Sequence, residues 1–324
     1  MNKDKYKKSA KSTIDLQILA LRKLKKSIGT SFDKAVKAIG DCQSKCILVG
    51  VGKSGHLASL IASSLSSIGA SSFALNSASD AAHGDLGVIS TSPKKDVLIL
   101  ISNSGFSSEL NPIISYSKKH NLTLIGITSK KNSTLYKAAN IKILVPETKE
   151  AGEGSFVPSS SLITQASLGS SLVIAVMKYK KHGIKTFRKL HPGGTLSKKL
   201  LSSGDLMTKA PFVSENCKMK KALKLLSEKK LGLLVVINKR KVTNGILVDG
   251  DVKRANQKYK SLNDLKVKEV MHKNPQSVDI DFLAVQSLTL MNRKRITSLL
   301  IHKNNNNKKT IGVLHIHKIL ENIQ

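Results

Sequence analysis

Aromatic residues are scarce in this chain: they make up 4% of it, and there is no tryptophan. Arginine is scarce too. Only Arg22, Arg188, Arg240, Arg254, Arg293 and Arg295 stand among the 54 basic residues, so the net charge of +33 is carried almost wholly by lysine. Base reading favours the bidentate fork of arginine, and single-strand binding uses aromatic stacking. With so little of either, the charge reads as a lysine-rich solvated surface rather than a nucleic-acid interface. The lysines are spread over the whole chain, and HKNNNNKK, His302 to Lys309, reads as a hairpin loop of the same composition. The three cysteines, Cys42, Cys46 and Cys217, make no disulfide framework, and Cys42 and Cys46 have no second pair to complete a zinc site. No apolar span of 18 residues stands out, and no apolar signal core follows the basic start MNKDKYKKSAKST. These absences point to a reduced cytoplasmic enzyme with no membrane partner.

What is present is enough for two or three globular domains: 324 residues, 40% of them hydrophobic. Residues 1–40 form an N-terminal helical segment, with 11–40 reading as helix from Ile14, Leu16, Ile18, Leu19, Leu21 and Leu24. The pattern then alternates. CILVGV, SSFALN, KDVLILIS, LTLIGITS and IKILVPE read as strands. HLASLIASSLSSIG, SELNPIISYSKKH and SSLITQASLGSSLVIAVMKYKKHG read as helices. Strand–helix alternation predicts an α/β fold, a doubly wound parallel sheet over residues 41–198. The remainder repeats itself over 205–262 and 266–324. Met207 pairs with Met271 and Gly245 with Gly312, at offsets of 64 and 67 that the asparagine–lysine loop absorbs. Each copy reads strand, helix, strand, strand, helix. The methionine openings and the GILVDGDVKR and GVLHIHKI endings resemble a pair of cystathionine-beta-synthase (CBS) domains, an α+β pair.

Three readings compete at Gly50-Val51-Gly52-Lys53-Ser54-Gly55. A triphosphate loop needs a first glycine where Ile47 stands, so this turn is too short. A dinucleotide fold needs an acid near the end of the second strand, where the chain has Asn76 and no acid until Asp80. A phosphosugar site has further support. The third strand ends in Ser102-Asn103-Ser104-Gly105, whose hydroxyls and backbone N–H groups can bind an anion, although the same residues also suit an ordinary helix cap. Two such turns at strand ends of one parallel sheet favour the ligand site.

GVGKSGH, ISNSGFSSE, AAHGDLG and LHPGGTLSKKL together resemble a sugar isomerase (SIS) domain. With the CBS pair behind it, the chain over roughly 12–324 resembles the D-arabinose-5-phosphate isomerase family. The resemblance implies cofactor-independent conversion of D-ribulose 5-phosphate to D-arabinose 5-phosphate through an enediol, on the route to Kdo and lipopolysaccharide. Such chemistry needs a base, a proton shuttle and a donor for the enediolate. Lys53, Glu109, Glu150 and His191 match the family's catalytic positions. Lys53 would stabilise negative charge, Glu150 would be the base, and His191 would open the ring and move a proton. Glu147 and Glu153 are rivals of Glu150, and the KEA context selects Glu150. Ser54, Ser102, Asn103, Ser104 and Ser107 match phosphate contacts of the wider fold, and Gly69, Ala70 and His83 fall near where the family holds substrate. Zinc as an inhibitor at His83 is implied as well, and no cofactor is required. Phe106, Ser77 and Pro158-Ser159-Ser160-Ser161 depart from the pattern, and Ser77 weakens the zinc reading. A homo-oligomer, a tetramer, is expected, with His191 a candidate for donation by a neighbour. The CBS pair is expected to take at most one nucleotide or nucleotide-sugar, at Asp249 and Asp251, which serve equally well as helix caps. Another phosphosugar isomerase, or a sugar-phosphate sensor without turnover, is the alternative.

Overall fold

The computed structural model describes residues 4–75, 84–191, 193, 195–229, 231–303, 306 and 308–323. The chain divides into two compact units, Met1–Leu190 and His191–Gln324.

The first unit is built on five strands: β1 (Cys46–Gly50), β2 (Ser72–Ala74), β3 (Val97–Ile101), β4 (Thr123–Thr128) and β5 (Ile141–Leu144). They are all parallel, in the order β2-β1-β3-β4-β5. Its helices are α1 (Asp4–Ser27), α2 (Thr30–Gly40), α3 (Lys53–Ser67), α4 (Asn111–Lys119), α5 (Thr134–Ala138), α6 (Ser160–Tyr179) and α7 (Ile184–Leu190). β1 and β3 are buried along their whole length. They read as continuous apolar runs because helices cover both faces of the sheet. Successive residues alternate between two cores. Cys46, Leu48, Ile99 and Ile101 meet α2, α3 and α6 on one face. Ile47, Val49, Leu98 and Leu100 meet Ile113 of α4 and Leu135 of α5 on the other.

The expected single helix over 11–40 is two, because Gly29 takes an extended φ of −150° and starts α2 afresh. Both halves pack on α6, and Leu24, Ala35 and Ile39 join the sheet core, so the N-terminal segment is part of this unit. The unit also ends before residue 198: α8 (Thr195–Lys199) packs against the last helix of the second unit. α6 is long and apolar enough to cross a membrane, a feature missed in the sequence. Here it is a core helix with Leu168, Leu172, Val173 and Val176 buried. At Gly169 a side chain would collide with Ile61, so glycine lets α6 and α3 approach closely.

The second unit continues with α9 (Ser203–Leu206), β6 (Thr208–Lys209), β7 (Phe212–Ser214), α10 (Met219–Lys229), β8 (Leu233–Ile237), β9 (Thr243–Val248) and α11 (Asp249–Lys258). Then follow α12 (Val267–Val270), β10 (His272–Lys273), β11 (Ser277–Asp279), α13 (Ala284–Lys294), β12 (Ser298–His302), β13 (Thr310–His315) and α14 (Ile316–Ile323). The two repeats exchange their first strands. β6 of the first repeat pairs with β13 of the second, and β10 of the second pairs with β9 of the first. A side chain at Gly245 would run into the carbonyl of His272 and press on the Met271 sulfur, and one at Gly312 would run into the Met207 sulfur and press on the carbonyl of Thr208. The repeated methionine and glycine therefore mark one crossing seen twice. Leu233, Val235, Leu300 and Val313 form a core shared by the two sheets.

Candidate active site

In a parallel sheet of order 2-1-3-4-5, the loops leaving β1 and β3 diverge to opposite faces and leave a crevice at the carboxyl ends. Both expected turns stand there. After β1, a Cβ at Gly50 would lie 2.5 Å from the carbonyl of Ser54, and one at Gly55 would lie 2.9 Å from the Gly50 oxygen. Gly52 has a φ of +55°, which glycine adopts at little cost. The glycine pattern is thus what folds the chain back tightly enough to start α3 at Lys53. Lys53 is exposed at that helix start, and Ser54 is half-buried beside it.

After β3, Ser102 is buried, and its Oγ lies 3.0 Å from Ser107 Oγ and accepts from Gly105 N at 3.0 Å. Gly105 has a φ of +68°, and a Cβ there would collide with the hydroxyls of Ser133 and Thr128. The turn is pinned to the end of β4: the carbonyl of Asn103 accepts from Ser129 N, Ser129 Oγ and Thr128 Oγ1 at 3.0, 2.7 and 3.2 Å. Asn103 and Ser104 stay exposed, as does Phe106 at the tip. Glu109 follows in a short 3₁₀ turn, exposed, and accepts from Ser108 Oγ at 3.3 Å.

Glu150 comes from the loop after β5 and does something its sequence context does not announce. Its Oε2 accepts from Ser159 N (2.7 Å), Ser159 Oγ (3.0 Å) and Ser160 N (2.8 Å), while Oε1 is approached by Ser161 N at 3.3 Å. It caps the N-terminus of α6, where free N–H groups and the helix dipole favour an anion. Burial pushes the carboxyl up, but hydrogen bonds from Ser161 and Ser159 outweigh it and hold it below its ordinary value. Oε1 is the less occupied oxygen. The rivals have other settings: Glu147 pairs with Lys130 at 2.7 Å, and Glu153 is exposed in a separate short turn.

The turns and the Glu150 loop all leave the carboxyl edge of the sheet. Gly69 and Ala70 do not lie there. Gly69, with a φ of +82°, ends α3 and leads into β2, whose Ser72 pairs with Cys46 at the start of β1. The five residues of β1 put about 16 Å between the two edges. Within one copy, then, Gly69 and Ala70 act as a helix terminus. Leu190, the last residue of α7, lies 3.3 Å from a Cβ built on Gly69, and His182 Nδ1 lies 2.8 Å from Ile68 O. His191 belongs to the second unit. His83 and Ser77 lie outside the described residues, and among those described no group of three or more histidine, cysteine or acidic residues could hold a metal. Sequence reasoning missed Thr128, Ser129, Ser133 and Gln165. The first three were legible as the polar end of a buried strand, SKKNST following LTLIGIT.

The second unit has a cleft of about 630 Å³ between its repeats, lined among others by Asp249, Arg254, His272, Arg295 and His315. Asp251 is buried and committed: it accepts from Val248 N at 3.0 Å, capping α11, and pairs with Arg254 at 2.5 Å. Asp249 is exposed and faces the cleft. On the second repeat His315 and His317 stand 5.0 Å apart, and burial and then His317 lower the pKa of His315.

Residues 41–175 match the SIS domain family, and 204–258 and 267–324 each match the CBS domain family. Over 97% of its length the chain is 33% identical to the arabinose 5-phosphate isomerase KdsD of Yersinia pestis, covering 95% of that protein. The chain belongs to the arabinose 5-phosphate isomerase family. The KdsD of Francisella tularensis is 34% identical over 97% of this chain and 96% of its own length. Among solved structures, E. coli CFT073 c3406 in complex with arabinose 5-phosphate superposes with a TM-score of 0.56 at 31% identity; the match covers 59% of this chain and all of that one. In this family member, the fold expected from the sequence, a doubly wound parallel sheet followed by a CBS pair, is the fold found.

Proposed function

We propose that this chain isomerises D-ribulose 5-phosphate and D-arabinose 5-phosphate through an enediol, in the cytoplasm, supplying Kdo and lipopolysaccharide synthesis. The observation that carries the reading is the crevice itself: two serine- and glycine-rich turns at a switch point, with a carboxylate held ionised on the loop after β5. The turns suit the phosphate, which is fixed by hydroxyls and backbone N–H groups. Lys53, at the head of α3, suits the developing negative charge on the enediolate. Glu150 removes the proton next to the carbonyl, and Oε1 is the oxygen with room to accept it. Glu109 lies beside the phosphate turn, where it can orient a sugar hydroxyl. His191 opens the ring and moves the hydroxyl proton. None of these steps calls for a redox group. Zinc at His83 would act as an inhibitor, and no step runs through it.

α7 ends against Gly69 at the sheet edge opposite the turns, so the chain leaves the first unit at the edge away from that unit's crevice. This supports a site completed by a second copy of the chain, in a homo-oligomer, as the family resemblance implies a tetramer. The CBS cleft, lined by Asp249, Arg254, His272, Arg295 and His315, suits a nucleotide or nucleotide-sugar whose ribose hydroxyls would meet Asp249.

The test is direct. The protein is incubated with D-ribulose 5-phosphate and no added cofactor, and the products are assayed for aldose phosphate. Formation of D-arabinose 5-phosphate is expected. Release of another aldose phosphate would name a different phosphosugar isomerase, and binding without turnover would make the chain a sensor.

A further inference from the structure

Gln165 lies one and a half turns into α6 and is buried, with 4% of its surface exposed. A buried amide has to find partners. Its Nε2 donates to Asn103 Oδ1 at 3.0 Å. The Asn103 main chain is already fixed, since its carbonyl oxygen accepts three hydrogen bonds from Thr128 and Ser129. The orientation of its side-chain amide is therefore set separately from the main chain. With Oδ1 turned inward to Gln165, Nδ2 is the end left to the exposed side of Asn103, and no described residue takes its hydrogens.

That orientation matters for an anion. A phosphate presents acceptors, so an asparagine serves it only with nitrogen outward. Turned over, the same side chain would point an oxygen at the phosphate. We infer that Gln165 is a positioning residue: it holds the Asn103 amide with its nitrogen facing the crevice and so makes Asn103 a phosphate donor. Because Glu150 caps the same helix, α6 ties the base and the phosphate turn into one rigid piece. The inference rests on the sugar-phosphate reading of the crevice.

Gln165→Glu is the informative change. A carboxylate can only accept, so it draws Nδ2 inward and leaves Oδ1 facing the phosphate. The expected result is a KM for D-arabinose 5-phosphate raised about tenfold or more, the loss of a hydrogen bond to a charged group, with kcat within about threefold of wild type. Asn103→Ala should raise KM similarly, and Gln165→Glu should add nothing in that background. Should the buried acid prevent folding, Gln165→Met removes the hydrogen bond without adding charge. It should raise KM a few-fold in the wild-type background and not in Asn103→Ala. Unchanged KM in both Gln165 variants, or an equal rise with and without Asn103, overturns the inference. Calorimetric titration of each folded variant with D-arabinose 5-phosphate gives the same comparison in Kd. A wild-type chain that binds the sugar phosphate but does not turn it over would refute the isomerase reading alone; one that turns over while the variants keep wild-type Kd would refute this one alone.

Discussion

Glu150→Gln separates the helix cap seen in the structure from the role of base proposed for the same carboxylate. As a cap, Glu150 satisfies three backbone N–H groups and one hydroxyl at the start of α6. Glutamine keeps one acceptor oxygen, loses the charge at the positive end of the helix, and turns an NH₂ toward N–H donors. Loss of a capping acceptor costs about 0.5–2 kcal/mol, and loss of a charge in the first turn about 0.3–1 kcal/mol. A total near 2 kcal/mol should lower Tm by about 4–8 °C in a unit of this size. The pH dependence identifies the cause. A carboxyl held below its ordinary value of 4.5 stabilises the fold above that pH, and the contribution is lost as pH falls through the folded-state pKa. Wild type and variant should therefore differ in Tm at pH 7 and converge at acid pH, measured by calorimetry at a series of pH values. As a base, the same group should be worth about 100-fold or more in kcat. A variant with wild-type Tm at every pH would refute the capping geometry. A variant with wild-type turnover would move the base to Glu147 or Glu153.

Gly105→Ala should lower Tm by several degrees and raise KM for the sugar phosphate about tenfold, because φ is +68° and a Cβ meets Ser133 and Thr128; unchanged KM would mean that this turn does not hold the phosphate. Asp96→Asn should cost about 2 kcal/mol or more in urea unfolding at neutral pH, since the buried carboxylate takes Lys45 Nζ at 2.9 Å and the N–H groups of Lys45 and Ser90. Burial pushes the Asp96 pKa up, but hydrogen bonds from Ser44, Lys45 and Ser90 outweigh it and hold it below its ordinary value, so the difference should vanish as pH falls through that depressed pKa. Co-refolded mixtures of inactive His191→Ala and Glu150→Gln chains should regain part of the activity if His191 crosses between copies; no recovery in exchanged mixtures would place His191 in its own chain's site.

Much of the molecule was legible in one dimension because the relevant signals are local. Buried parallel strands read as unbroken apolar runs, Gly50, Gly52 and Gly55 sit where the backbone needs them, and the Met and Gly spacings of the tail betray its repeat. The polar turn Ser102–Ser107 was found by its residue types. What the chain alone could not reveal depends on which distant segments meet. The exchange of β6 and β10 between repeats is a pairing of two-residue strands with partners far along the chain, and nothing in a strand so short encodes its neighbour. Gly69 and Ala70 look like any small pair near a pocket until the topology sets them at the far edge of the sheet. Glu147, Glu150 and Glu153 are three similar acids in one loop; only the approach of α6 makes one of them a cap with a depressed pKa. Gln165 is an unremarkable polar residue on an apolar helix, and its meaning appears when packing carries it to Asn103, 62 residues earlier in the chain.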